Sequence, residues 1–569
     1  MFNVVFILLR RLQLPLVVLI AAYAVAVLGF VLIPGQDDHG NVWRMGFLHA
    51  FYVVSYTATT IGFGELPYLF TDAQRLWMTL VVYVSVIAWM YAIGMLLSLV
   101  QDSAFRALVR ELRFTRDVRR IAEPFYLVCG YGDTGSTLVR GLADAGLRAV
   151  VLDSNPGRID ALVLDELQIH VPGLCADAGK PATLILAGLQ CRRCAGVLVL
   201  TNDDATNLQI AIAVKLLRPA MLTITRAQTN EATANLAAFG TDYILNPFAL
   251  FARILKNAVR APGLYALDEQ LTSVPDEAWS PPLHPPRGNW ILCGYGRFGQ
   301  ATHAALRGEG IHCGVVEADP EIADAAPACV RGIGTQADTL VAAGIRAAVA
   351  LVAGTDNDAH NLSIAMTARA LNPDLFIVAR QNQRDNDALF RAARIPLVLQ
   401  CGRVLAGEVF SIVTSPLIVD FLRLAQREDE VWAADLQRRI RAIVGTHNPD
   451  RWVVDVRSHP APAISRALAG GAPVRIGDLR RDPQHRDQHL PSIALLLKRG
   501  GEFTLLPDES ESLHKGDIVL FCGSQDARRR MEWVTRNHNI FHYVTTGEER
   551  TSWLLAKLAL RNARSTVDS

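Results

Sequence analysis

The sequence predicts an all-α membrane segment followed by two tandem α/β units and a small α+β lobe. Three observations carry that expectation. Two long runs without charged side chains lie within the first 100 residues and enclose a short stretch rich in threonine and glycine. A glycine-rich strand–turn–helix pattern then occurs twice at an offset of 164 residues. Short apolar segments separated by glycine and aspartate follow the second copy.

The first run, Leu12 to Ile33, and the second, Leu76 to Val100, are each long enough as helices, at ~1.5 Å rise per residue, to cross ~30 Å of hydrocarbon. The first exceeds the ~7–15 apolar residues of a signal peptide, and no small-residue cleavage pattern follows it. Arg10 and Arg11 precede it, and Arg106, Arg110, Arg113, Arg116, Arg119 and Arg120 follow the second run, against Arg44 and Arg75 between the two. The excess of basic residues outside the pair places both ends in the cytoplasm, in a multi-pass protein of the cell (inner) membrane. Trp43, Trp77, Tyr83, Trp89 and Tyr91 are read either as interfacial anchors or as packing residues.

Between the runs, Trp43 to Thr59 has apolar spacing that suits a short re-entrant helix, and residues 57–64 read Thr-Ala-Thr-Thr-Ile-Gly-Phe-Gly. Thr57, Thr60, Gly62 and Gly64 resemble the Thr-x-x-Thr-x-Gly-x-Gly signature of the potassium channel family. The resemblance implies that Thr60, Ile61, Gly62, Phe63 and Gly64 form a selectivity filter. Its backbone carbonyls would replace the water that K+ sheds on entry. Glycine at alternate positions fits a backbone whose conformation alternates in hand. Phe63 stands where many members have Tyr, and Glu65 where many have Asp, so the strictness of selectivity stays open. Two spans and one loop cannot enclose an ion path, so an oligomer is required, and the family implies a homotetramer. Gly94, deep in the second run, is either a gating hinge or a site of close helix packing.

With 569 residues, 51% of them hydrophobic and 20% charged, the chain holds two or three soluble domains beyond a two-span segment. A net charge of +1 argues against a nucleic-acid partner. Arginines 106, 110, 113, 116 and 120 fall on one face of a helix after the second span, where membrane lipid headgroups are the expected neighbours.

Tyr126 to Gly135 is an apolar strand that runs into Gly130-Tyr131-Gly132-Asp133-Thr134-Gly135, and a helix-like stretch leads to a second strand ending in Asp153. This is the order of a dinucleotide-binding unit. Gly130 would allow the tight turn, Gly132 the close approach of a phosphate and Gly135 the packing of helix on strand. Asp153 would accept from a ribose. Trp290 to Gly299 repeats the pattern through Gly294-Tyr295-Gly296-Arg297-Phe298-Gly299, with Glu317 as the acid. The echo extends from Val199–Leu208 to Val352–Leu362 and from Ile224–Arg226 to Val378–Arg380. Two copies of one parallel α/β unit follow.

The chain therefore resembles two-transmembrane-helix potassium channels with tandem cytoplasmic RCK domains, the regulator-of-potassium-conductance units related to TrkA-type transport subunits. The resemblance implies a membrane all-α pore domain, two Rossmann-like RCK domains and a C-terminal α+β lobe. It places the pore at 1–100, a linker helix at 101–123, the first RCK domain at 124–260 and a proline-rich tether at 261–288. The second RCK domain falls at 289–425, and the lobe and tail at 426–569. Pro247 to Leu255 would be an exchange helix between paired units, echoed by Val404 to Ala425. It further implies a ring of RCK domains that gates passive K+ conduction when ligand binds. A regulatory subunit of a potassium uptake system and a nicotinamide-dependent oxidoreductase are the alternatives. No catalytic residues are expected, and the chain is read as a non-enzyme.

NAD(H) or an adenine nucleotide is the expected ligand, because an acid at the ribose disfavours a 2′-phosphate. The expected contacts are residues 130–135 with Asp153 and Arg226, and residues 294–299 with Glu317. Calcium is the other candidate, held by Asp203, Asp204, Asp356 and Asp358, which are alternatively helix caps. The metal itself stays unknown. Cys191 and Cys194 resemble half a zinc site without a second pair, or a loop pair.

Overall fold

The computed structural model describes residues 2–63, 68–272, 284–457 and 461–549, with 2–12 in backbone alone. The chain divides into two compact units, Met1–Arg120 and Ile121–Ser569.

The first unit contains α1 (Phe2–Leu32), a hairpin of β1 (Gly35–Gln36) and β2 (Val42–Trp43), α2 (Phe47–Ala58), α3 (Asp72–Gln101) and α4 (Ser103–Arg120). The two uncharged runs lie within α1 and α3, which are long and apolar enough to cross a membrane. Gly29 admits the indole of Trp77, which a Cβ at that position would meet at 2.1 Å, and Trp77 Nε1 donates to the Ala26 carbonyl at 3.1 Å. Trp89 Nε1 donates to the Tyr23 hydroxyl at 3.0 Å, so these two aromatics join the spans to each other. The short helix expected from Trp43 starts at Phe47 instead, because Trp43 pairs with Gly35 in the hairpin and Gly46 holds the extended N-cap conformation. On α4 the five arginines of one face are exposed while Phe114 and Val118 are buried.

The second unit opens with the first α/β sheet. Its elements are β3 (Phe125–Cys129), α5 (Asp133–Asp144), β4 (Arg148–Asp153), α6 (Pro156–Leu164), β5 (Gly173–Cys175), α7 (Pro181–Leu186), β6 (Cys194–Val199), α8 (Asp204–Leu217), β7 (Leu222–Arg226), α9 (Asn230–Ala238) and β8 (Tyr243–Leu245). Helices α10 (Pro247–Arg260) and α11 (Pro262–Thr272) follow. The second sheet is built from β9 (Asn289–Cys293), α12 (Arg297–Gly308), β10 (His312–Glu317), α13 (Pro320–Ala325), β11 (Cys329–Arg331), α14 (Ala337–Ala342), β12 (Ala350–Ala353), α15 (Asp358–Leu371), β13 (Phe376–Gln381), α16 (Asp387–Ala392) and β14 (Leu397–Gln400). Both sheets are wholly parallel, in the orders β5-β4-β3-β6-β7-β8 and β11-β10-β9-β12-β13-β14. That is the doubly wound order, with the glycine turns at the point where strand order reverses.

The helices after each sheet cross over. Helix α10 lies against α12 of the second sheet, where Phe251 is fully buried and meets Phe298 edge-on at 4.5 Å. Helix α17 (Cys401–Thr414) lies against α5 of the first sheet, where Ala406, Val409 and Ile412 share a core with Leu138, Val139 and Leu142. Each sheet thus has its apolar helix layer completed by the other's chain. The segment from 261, read as the start of a tether, is helical through Thr272. Leu264, Leu267 and Leu271 of α11 are buried against α18 (Pro416–Ala425) and α19 (Glu430–Val444). The single echo expected over Val404–Ala425 is two helices, α17 and α18, meeting at 114°. The lobe is an antiparallel sheet ordered β15-β18-β16-β17, made of β15 (Asp450–Asp455), β16 (Ser492–Arg499), β17 (Glu502–Leu505) and β18 (Ile518–Gly523).

Candidate functional site

In the first unit α2 ends at Ala58, and the chain then turns tightly back on the helix end. The amides of Ile61 and Gly62 both donate to the Tyr56 carbonyl, at 2.9 and 3.3 Å. Thr60 and Gly62 hold φ of +60° and +65°, so left-handed backbone recurs at alternate positions. The Thr60 hydroxyl donates to the Thr59 carbonyl at 2.7 Å. Ile61 and Phe63 are exposed, and Gly64 lies outside the described residues. Nothing lies within 4 Å of a Cβ placed at Gly94, and α3 runs through it unbroken.

In the second unit the two glycine turns are near copies. Gly130 and Gly294 take φ of +106° and +95°, which glycine adopts without strain. A Cβ at Gly135 would stand 2.0 Å from the Gly130 carbonyl oxygen, and one at Gly299 the same distance from that of Gly294. The third glycine of each motif is thus required by the closeness of helix to strand. Gly132 and Gly296 are the N-caps of α5 and α12, whose free amide ends favour an anion. Residues Asp133, Thr134, Arg297 and Phe298 form the first turns of those helices, and Thr134 and Phe298 are buried.

The two acids have partners of their own. Asp153, 5% exposed, accepts from the Tyr131 amide at 2.6 Å, the Asn155 amide at 2.7 Å and the Arg158 guanidinium at 3.3 Å. Glu317 accepts from the Tyr295 amide at 2.6 Å and from the amides of Ala318 and Asp319 at 2.8 and 3.0 Å. Both carboxylates therefore brace the glycine turn of their own unit. Tyr131 carries the bracing outward, donating its hydroxyl to Asp165 at 2.7 Å. Its phenol is held well above the usual range by burial and by that bond.

Arg226 is the cation expected with the first glycine turn. It ends β7, two strands from β3, and its guanidinium shares its surroundings with Arg297, Arg380 and Cys401 of the second sheet. Burial, together with Arg297 and Arg380, pulls its pKa below the usual arginine range. One nitrogen donates to Asn202 at 2.5 Å. Arg297 and Arg380 both stand 5.5 Å from the centre of the Phe248 ring on α10. At the first turn the cation is Arg158, whose guanidinium lies 3.6 Å from where a Gly132 Cβ would be. The sequence offers a signal for Arg380, the repeat of Arg226, and none for Arg158.

Three of the four acids offered as cation ligands are engaged with backbone amides. Asp203 caps α8 by accepting from the Thr206 amide at 2.8 Å, and the Thr206 hydroxyl and amide hold its pKa low. Asp204 accepts from the amides of Gln228 and Thr229. Asp358 accepts from those of Asn382 and Gln383. Asp356 precedes Asn357, the cap of α15. Among the described residues no group of three or more His, Cys, Asp or Glu side chains could hold a metal ion. Cys191 and Cys194 are free thiols.

Fold and turns together define a chain with two membrane-length helices and a pair of crossed-over, Rossmann-like α/β units. Those units are TrkA-N domains: residues 126–247 and 290–400 each match that family. Potassium channel protein 1 of Methanocaldococcus jannaschii is 26% identical over 204 residues, 36% of this chain and 59% of the relative. Probable potassium channel protein 2 of the same organism is 24% identical over 225 residues, 38% of this chain and 62% of the relative. A Trk system potassium uptake protein TrkA homolog of Methanothermobacter thermautotrophicus is 28% identical over 162 residues, 27% of this chain and 73% of the relative. The chain spans less than two thirds of the two channel relatives. Among solved structures, the GsuK channel bound to NAD is 15% identical with a TM-score of 0.45, covering 93% of this chain and 99% of that one.

Proposed function

We propose that the chain is a potassium-selective channel that conducts K+ passively as a homotetramer. The observation that carries this reading is a helix of pore-helix length, Phe47–Ala58, that ends at Thr60-Ile61-Gly62-Phe63 between two membrane-length helices. Left-handed backbone at Thr60 and Gly62 supports a filter of stacked carbonyls, which Gly64 would continue. Phe47, Leu48 and Phe51 of α2 are exposed on the single chain, as oligomer-forming or lipid-facing residues would be. Both termini lie on the cytoplasmic side, and Gly94, unpacked within α3, serves as the gating hinge.

The two TrkA-N units act as regulators instead of catalysts, and four chains supply eight of them to one ring. Their ligand is NAD(H) or an adenine nucleotide, with its phosphates at the turns 130–135 and 294–299. Tyr131, Asp133, Thr134, Tyr295, Arg297 and Phe298 shape these turns. Asp153 and Glu317 hold the turns open to it. Arg226 is its phosphate partner in the first unit. Calcium is the weaker candidate, since Asp203, Asp204 and Asp358 already accept backbone amides.

Flux into liposomes tests the channel. The purified protein should pass K+ or Rb+ far better than Na+ and be blocked by barium, and Gly62→Ala should abolish flux. Equal Na+ flux would remove the selectivity claim. The similarity to a TrkA homolog favours a second reading, a regulatory subunit of an uptake system, under which the protein alone conducts nothing. Titrating the flux with ATP, ADP, NAD, NADH and calcium identifies the gating ligand.

A further inference from the structure

A cleft of about 690 Å³ opens where α10, α12 and the end of α18 meet. Its volume lies within the ~300–1,000 Å³ of small-molecule sites. The floor is small, with Ala301 and Ala305 on α12 and two further alanines on α10, so nothing bulky fills it. The walls carry Arg253, Lys256, Arg260, Arg423 and Arg427, and no carboxylate lines the cleft among the described residues.

Three of the five cations have acidic partners behind the walls. Arg253 pairs with Glu408 at 3.1 Å, Lys256 with Glu309 at 3.4 Å and Arg423 with Asp420 at 2.7 Å. With these three pairs formed, the net positive charge of the cleft is that of its two remaining cations. Arg253 also keeps a buried Nε without a hydrogen-bond partner. Arg260 and Arg427 have no acid within ion-pair distance among the described residues. The carbonyl ends of α10 and α18 account for basic residues at Arg260 and Arg423, which sit in the last turns. They do not account for five cations facing one volume without an acid. Guanidinium forks match phosphate oxygens in pairs, and a lysine adds a point charge, so the lining suits a compact polyanion.

We propose that this cleft binds a small molecule carrying two or more phosphate groups. The site lies between elements of both sheets, because α10 follows the first and α12 and α18 belong with the second. None of residues 130–135 or 294–299 lines it, and the proposal does not depend on the reading of the glycine turns.

Pyrophosphate titrated calorimetrically into the full chain in detergent at low ionic strength is the test, since screening at ~0.1 M salt acts over about 10 Å. The double variant Arg260→Gln/Arg427→Gln, at two residues without ion pairs, should bind pyrophosphate at least tenfold more weakly. NAD binding, the readout of the glycine turns, should be equal in both proteins. If that variant does not fold, Ala305→Glu, which puts one carboxylate on the floor and keeps all five cations, should give the same loss. No binding of pyrophosphate by the unaltered chain, or equal binding by the folded variants, overturns the proposal. So does a parallel loss of NAD, which would place the pyrophosphate at the turns. NAD that fails to bind while pyrophosphate binds and responds to the variants would sink the glycine-turn reading alone.

Discussion

Replacing Asp153 with alanine separates a bracing acid from a ribose-binding one. In the folded chain its carboxylate takes the amides of Tyr131 and Asn155 at 2.6 and 2.7 Å and is 5% exposed. Alanine removes the acceptor from both, and the Tyr131 amide has no other partner at the buried turn among the described residues. A bond to a charged acceptor contributes about 1.5–3 kcal/mol, and an abandoned buried donor costs about 1–3 kcal/mol. The exposed Asn155 is rehydrated, so the Tyr131 amide and the lost Arg158 pairing dominate, for a total of about 3 kcal/mol. The loss falls on the β3–α5 turn, so local opening is the quantity to read. Hydrogen exchange of peptides spanning 126–138 should then speed up by roughly 100-fold, at about 1.4 kcal/mol for each factor of ten. The effect should appear without any nucleotide present. Exchange within about twofold of the unaltered chain in the absence of ligand would refute the bracing role.

Three further outcomes follow from the same geometry. Gly299→Ala should destabilise the second sheet by about 1–3 kcal/mol or more, because its Cβ would stand 2.0 Å from the Gly294 oxygen. Gly308→Ala on the same helix meets nothing within 4 Å and should be neutral or gain up to about 1 kcal/mol; equal losses in thermal unfolding would refute the contrast. Phe251→Ala should cost about 3–5 kcal/mol and expose α10 to limited proteolysis, since the ring is fully buried against Phe298; an α10 as resistant as before would refute the crossover packing. Burial pushes Asp268 up to about 6, opposed by Arg253 and reinforced by Glu408 and Glu269. The folded chain therefore holds this proton more tightly than the unfolded one. The contribution of this group to stability is fully present below about pH 4 and is lost as pH rises through about 6. Asp268→Asn should add about 1–3 kcal/mol at pH 7.5 and nothing at pH 4, and a gain independent of pH would refute the assignment.

Much of the architecture was legible because it rests on local patterns. The uncharged runs, the alternation of strands and helices and the doubled glycine turn each follow from composition and short-range spacing. The boundaries were less legible. Trp43 has the spacing of a helical residue, but its pairing with Gly35 puts it in a strand. Residues 262–272 begin with a proline and a glycine and look like linker, yet Leu264, Leu267 and Leu271 find a face of α18 and α19 that no local pattern announces.

The site divides in the same way. The sequence by itself determined where the backbone must turn and where an anion would be welcome. Gly130, Gly135, Gly294 and Gly299 are set by steric demands within about six residues of one another. The tertiary structure decided which side chains meet across the fold. Asp153 and Glu317 turn back onto their own turns, Arg226 at the end of β7 comes near Arg297 and Arg380 of the second unit, and five cations from α10, α18 and the residues just after α18 converge on one cleft. Those pairings depend on the exchange of α10 and α17 between the sheets. Such contacts join residues far apart in the sequence, and only packing of the two apolar helix layers brings them together.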